Sequence, residues 1–123
     1  MRKILIKTKE VEMEAELNET KTAKLIWENL PIESKINTWG EEIYFAIPVK
    51  LPAENAVNTV SIGDIAYWSE GHCFCIFFGK TPISTEKEIR PASAVNLIGK
   101  LLADPKEFKK VKPGEKITIS PLP

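Results

Sequence analysis

One histidine, two cysteines, acids set beside aromatic rings and an arginine closing a proline-marked stretch are the groups in this sequence that could do chemistry. His72-Cys73-Phe74-Cys75 offers imidazole and thiolate, both zinc ligands, but a closed structural site takes about four donors. The chain has no further Cys or His to complete one. Cysteines two apart on a strand face the same way, a poor geometry for a mutual disulfide. They also lack the spacing and helix start of a redox pair. The expectation is two small core side chains on a buried strand. A Ser-His-acid triad would have to use His72, in an expected hairpin turn, and no serine lies in a nucleophile-elbow context. These groups therefore supply no catalytic residue, no metal ligand and no call for a cofactor.

Binding chemistry is better represented. Glu41 and Glu42 lie between Trp39 and Tyr44. Neighbours on a strand point to opposite faces, so only one acid can share a pocket with the rings. Glu41 is the expected polar contact beside an aromatic wall; the alternative is two solvated edge charges. Arg90 opens Arg90-Pro91-Ala92-Ser93 in a lysine-dominated chain, and guanidinium suits planar carboxylate-like groups where lysine does not. The alternative is a surface pair with one of the fifteen glutamates. Asn96, in an otherwise apolar run, needs hydrogen-bond partners when buried, either a ligand or the loop backbone. Phe78 stands at the entry to the next loop, and at least one of Trp68, Phe77 and Phe78 must face outward. The candidate ligand-binding set is Trp39, Glu41, Tyr44, Phe78, Arg90, Ser93 and Asn96.

These groups need a scaffold, and the hydrophobic pattern supplies one. Glu10 to Leu17 alternates polar and apolar residues without a break, a strand with one face in water. Lys3–Lys7 is its hairpin partner. Asn18 to Thr20 caps a helix over 20–30, where Ala23, Ile26, Trp27 and Leu30 form one apolar stripe that ends at Pro31. Strands are expected over 32–38 and 42–49 with a bend at Trp39-Gly40-Glu41, then a proline-marked loop over 48–58. Val60 and Ile62 start another strand, broken at Gly63-Asp64 and resumed over 65–68. Cys73–Phe78 is a strand buried on both sides, and 79–93 is the longest irregular stretch, of the length that usually carries function. A strand from about 94 to 102 precedes Asp104-Pro105, an N-cap and first-turn proline that mark a short helix over 105–110. Lys116–Ser120 closes the sheet. Eight strands, one principal helix and one short helix make a mainly β domain, a closed antiparallel barrel filled by side chains.

The length of 123 residues suits a single domain, 1–123. Seventeen basic and seventeen acidic residues cancel, and no basic stripe points to nucleic acid. Fifteen lysines and fifteen glutamates dominate the charges, the balance found in thermophile proteins. Met1-Arg2-Lys3 leads into only three apolar residues, too few for a signal peptide, and no stretch reads as a bilayer span. A cytoplasmic protein is expected.

Gly63-Asp64-Ile65-Ala66-Tyr67-Trp68 followed by Cys73-Phe74-Cys75-Ile76-Phe77-Phe78-Gly79-Lys80-Thr81-Pro82 resembles the central strands and loop of cyclophilins. The segments Asn37–Phe45, Cys75–Pro82 and Pro91–Lys100 resemble more closely a small prokaryotic family of cyclophilin-like proteins of uncharacterised function. That resemblance implies an eight-stranded barrel and no established activity. It also exposes departures. The cyclophilin isomerase pocket uses an arginine, two phenylalanines, a glutamine and a histidine. The central-strand phenylalanine falls near Cys75 and the histidine near Val95, and neither Arg2 nor Arg90 lies in the strand of the family's arginine. The expected function is a binding module for a small polar molecule or an extended peptide. Its rivals are a peptidyl-prolyl isomerase with a rebuilt site, and a partner-binding subunit of an amidolyase-type assembly.

Overall fold

A computed structural model describes residues 2–122; Met1 and Pro123 lie outside the described residues. Nine strands form one antiparallel sheet: β1 Arg2–Lys7, β2 Glu12–Leu17, β3 Ile32–Lys35, β4 Asn37–Trp39, β5 Glu42–Ala46, β6 Asp64–Trp68, β7 Cys73–Phe77, β8 Asn96–Leu101 and β9 Lys116–Pro121. Their spatial order is β3-β9-β1-β2-β8-β6-β7-β5-β4.

The two ends of that order are consecutive in sequence, separated only by Ile36. β3 pairs with β9 and β4 pairs with β5, so the segment 32–39 changes partner at Ile36 and brings the sheet round on itself. Ile36 bonds through its N–H to Glu115 and through its carbonyl to Gly114, both at 2.8 Å. Ser34 Oγ donates to the Ala46 carbonyl at 2.8 Å across the seam. Counted as one bent strand, 32–39 makes eight staves of a nearly closed barrel, so eight and nine describe the same architecture.

The interior holds the inward residues of every stave, among them Ile4, Ile6, Met13, Leu17, Ile43, Phe45, Ile65, Tyr67, Phe74, Ile76, Ile98, Ile117 and Ile119. Phe45 and Phe74 stack at 5.1 Å. Helix α1, Lys21–Glu28, adds Ala23 and Ile26 to this core. Thr20 caps it, accepting from the Ala23 N–H. The Glu54 carboxylate takes the Lys21 and Thr22 N–H groups at 3.1 and 2.9 Å. Those donors have no intrahelical partner, and a carboxylate also complements the positive end of the helix. The late helix is a 3-10 turn, Pro105–Lys110, capped by Asp104 as its sequence anticipates.

Several boundaries differ from the sequence pattern: the strand expected over 42–49 ends at Ala46 and the helix is Lys21–Glu28, and three further shifts have a visible cause. The first alternating strand starts at Glu12, because Val11 turns with Thr8 through a pair of mutual hydrogen bonds. Val60 forms only an isolated bridge with Ile89, and Ile62 is exposed, so the sixth strand begins after Gly63. The eighth strand starts at Asn96, since Val95 bridges Val57 instead of joining β6.

A second, smaller cluster lies on the outer face of the barrel. Ala66 of β6, Cys73, Cys75 and Phe77 of β7, and Val60 and Val95 of the flanking segments are buried there, with Tyr44 and Trp68 packed alongside. β7 is therefore buried on both faces. Val57 and Val60 of one loop and Ile89 and Val95 of the other pack over this outer face, and the candidate site lies at its margin.

Candidate functional site

On β5, Ile43 and Phe45 point into the barrel, so Glu42 and Tyr44 must point out. Glu42 sits opposite Trp39 across the β4–β5 pair, and Tyr44 opposite Cys75 across β5–β7. Cys75 in turn lies opposite Ala66 on β6, two residues before Trp68. Register alone thus gathers a carboxyl, a thiol and three aromatic rings on one patch of outer surface. Pro91, Ala92 and Val95 overhang it and complete a cavity of about 270 Å³.

The walls are fixed by specific contacts. β4 and β5 are joined by two residues, with Gly40 at φ +61°. A Cβ at position 40 would meet Pro82 Cδ at 2.8 Å and the Lys80 carbonyl at 2.9 Å, so only glycine lets this turn press against the 80–82 loop. The Glu41 N–H donates to the Lys80 carbonyl at 2.8 Å, anchoring the turn that carries Trp39. Tyr44 and Trp68 meet edge to face, with centroids 6.5 Å apart and planes at 87°. The Trp68 indole N–H donates to Ser93 Oγ at 2.5 Å, and Ser93 Oγ donates onward to Glu70. Gly71 leaves the space into which the Trp68 ring projects.

Glu42 is the one charged side chain in the lining. It is 5% exposed, and its Oε1 has no hydrogen-bond partner. Burial pushes its carboxyl from 4.5 up to about 7, opposed by a hydrogen bond from Cys75. Burial also raises the Cys75 thiol well above its ordinary value, with the Glu42 charge adding to it. A thiol held protonated is a poor nucleophile. The cavity can therefore enclose an apolar body, stack flat groups, and offer one carboxyl able to accept or donate at neutral pH.

Of the residues singled out from sequence, Trp39 and Tyr44 come together at this cavity. Glu41 turns to the other face of the hairpin, over Gly79, and pairs with Lys109 at 3.6 Å; its neighbour Glu42 takes the place in the outer-face cavity. The Ile43/Phe45 alternation carried the signal for that choice. Phe78 is buried in the barrel interior beside Phe108, because Phe74, Ile76 and Phe78 share the inward parity. Arg90 is exposed and binds Glu88 through Nε at 3.0 Å and a terminal nitrogen at 2.8 Å. Ser93 reaches the site through the Trp68 indole. Asn96 is 1% exposed and pins the loop: its Oδ1 accepts from the Glu54 N–H at 2.8 Å, and its Nδ2 donates to the Pro52 carbonyl at 3.1 Å and Thr22 Oγ1 at 3.2 Å. Sequence reading missed Glu42, Trp68 and Cys75 as lining residues. Among the described residues, no group of His, Cys, Asp and Glu is placed to hold a metal ion, and no helix is long and apolar enough to cross a membrane.

Comparison with known proteins places this geometry in a family. Residues 2–120 match the family model described as Cyclophilin-like. The chain is similar to the hypothetical protein AF2241 from Archaeoglobus fulgidus, known as a solution structure, with 41% identity and a TM-score of 0.84. That match covers 98% of this chain and 95% of the other. It is similar in fold to McbB, solved in complex with tryptophan, at 14% identity and a TM-score of 0.69, over 95% of this chain and 44% of McbB. No curated protein matches the sequence. With the family model spanning nearly every residue and the barrel shared in three dimensions, the chain belongs to the cyclophilin-like family.

Proposed function

We propose that this protein is a cyclophilin-like binding module whose ligand is a small molecule held in the outer-face cavity. One observation carries the reading: Trp39, Tyr44 and Trp68 line a cavity together with Glu42, a buried carboxyl whose Oε1 has no hydrogen-bond partner among the described residues. Buried polar atoms are rarely left unpaired. A mostly apolar pocket with a few convergent polar groups is the usual form of a ligand site. A cavity of about 270 Å³ suits a compact ligand.

Cys75 and Val95, near which the resemblance puts the isomerase phenylalanine and histidine, both line the cavity. No arginine is among the lining residues, which favours binding over prolyl isomerisation. McbB, which shares this fold over 44% of its length, was solved in complex with tryptophan.

A thermal-shift screen of small amines, carboxylates, alcohols and prolyl peptides tests the proposal. A compound that raises Tm should lose its effect in Trp39→Ala and keep it in Arg90→Ala. Equal loss in both variants, or a shift confined to prolyl peptides, would contradict it.

A further inference from the structure

We propose that the ligand class is a small organic cation, with its ammonium head among the Trp39, Tyr44 and Trp68 rings and paired with the Glu42 carboxylate. The inference rests on the cavity being the ligand site and adds the charge of what fills it.

The argument begins with what the cavity lacks. No Lys, Arg or His is among its lining residues, and each ion pair among the described residues involves an acid other than Glu42. Glu41, its neighbour in sequence, already has Lys109. Glu42 is thus a buried acid for which the fold supplies no cation, and burying an unpaired carboxylate is costly. A neutral occupant would leave that cost in place. An anion would add repulsion between like charges. A cation brings the missing partner.

The rings point the same way. Aromatic faces carry negative electrostatic potential and attract ammonium groups lying within about 6 Å of the ring centre. Tyr44 and Trp68 stand at 87° to one another, two walls of a corner, and Trp39 is held opposite Glu42 by the β4–β5 register. Two perpendicular rings and a third aromatic wall beside one carboxyl make a corner suited to a compact ammonium group. Ser93 holds the Trp68 indole N–H, and with it the ring that forms this wall.

Charge pairing makes binding depend on Glu42 being ionised. The titratable groups facing Glu42 are the Tyr44 phenol on its own strand and the Cys73 and Cys75 thiols of β7. β4, β6 and the 91–95 segment contribute no charged side chain to the lining. Cation affinity should therefore rise with pH as this one carboxyl loses its proton.

The test compares phenethylamine, phenethyl alcohol and phenylacetate, which share a ring and differ in charge. Each is titrated into the intact protein while the indole ¹⁵N–¹H signals are followed. At about pH 8 the amine should bind roughly tenfold more tightly than the alcohol, and phenylacetate more weakly than either. That preference should shrink to about twofold near pH 5, where the carboxyl is protonated. Glu42→Gln should likewise cut the preference at about pH 8 to about twofold and leave alcohol binding in place; the wild-type pH series gives the answer should that variant fail to fold. Alcohol binding at least as tight as amine binding at about pH 8 would overturn the cation assignment while leaving the cavity as the ligand site. Failure of all three probes to move the Trp39 and Trp68 signals would overturn both.

Discussion

Replacing Glu42 by Gln should change stability in a pH-dependent way, increasingly in the variant's favour as pH rises from acid to above neutral. In the folded chain the carboxyl titrates at about 7, against an ordinary value of 4.5, because burial disfavours its charge. The unfolded chain therefore gives up this proton first. Glu42 leaves stability intact below about pH 4.5, erodes it as pH rises toward about 7, and has no further effect above that. At about 1.4 kcal/mol per tenfold difference in proton affinity, the interval corresponds to roughly 3 kcal/mol. Gln cannot ionise. The difference between variant and parent should thus grow by about 3 kcal/mol in the variant's favour between about pH 4.5 and pH 8. Any change from the amide's own hydrogen bonding is independent of pH and leaves this slope untouched. Urea unfolding followed by tryptophan fluorescence across a pH series measures it. A difference constant with pH, or one growing toward acid, would refute a buried, unpaired Glu42.

Asn96→Ala should cost about 3 kcal/mol, because it strands the Glu54 N–H and Pro52 carbonyl and loosens the loop against α1; a loss below about 1 kcal/mol would show that these bonds are dispensable. Cys75 should resist thiol reagents in the folded protein and react on denaturation, since it is 1% exposed and its thiol is held protonated; rapid native labelling would contradict this placement. A prolyl-peptide assay should show no acceleration above that of an unrelated protein. Removing one oriented donor from such a site typically loses about 10²–10³ in rate, and the cyclophilin arginine, phenylalanine and histidine are absent together. Saturable turnover abolished by Tyr44→Leu would restore the isomerase reading.

The barrel was legible because most staves announce themselves. The alternation ending at Leu17 keeps one face apolar, and Pro31, Gly71 and Pro113-Gly114 mark where elements stop. The closure was not legible. Ile36 changes the partner of its strand from β9 to β5, and an exchange of backbone hydrogen bonds leaves no trace in side-chain type. At the cavity, strand parity decides which residues line it. Glu42 could have been chosen over Glu41 from Ile43 and Phe45, which fix the inward face of β5. Phe78 could not be placed, since every residue from Cys73 to Phe78 is apolar and a strand buried on both faces hides its parity. Arg90 drew attention by its rarity, yet Glu88 two residues away satisfies it. Trp68 escaped because a ring that walls a cavity and a ring that packs a core look alike in sequence.

The three tryptophans provide the most direct test of where a ligand binds. Trp39 and Trp68 line the cavity, whereas Trp27 lies on α1, packed against the interior core. Each indole N–H gives its own ¹⁵N–¹H signal, so one titration with a compound that raises Tm reports on site and control together. If the outer-face cavity is the ligand site, the Trp39 and Trp68 signals shift along a saturating curve while Trp27 stays in place. A saturating shift of Trp27 with Trp39 and Trp68 unmoved would place the ligand elsewhere and contradict the account.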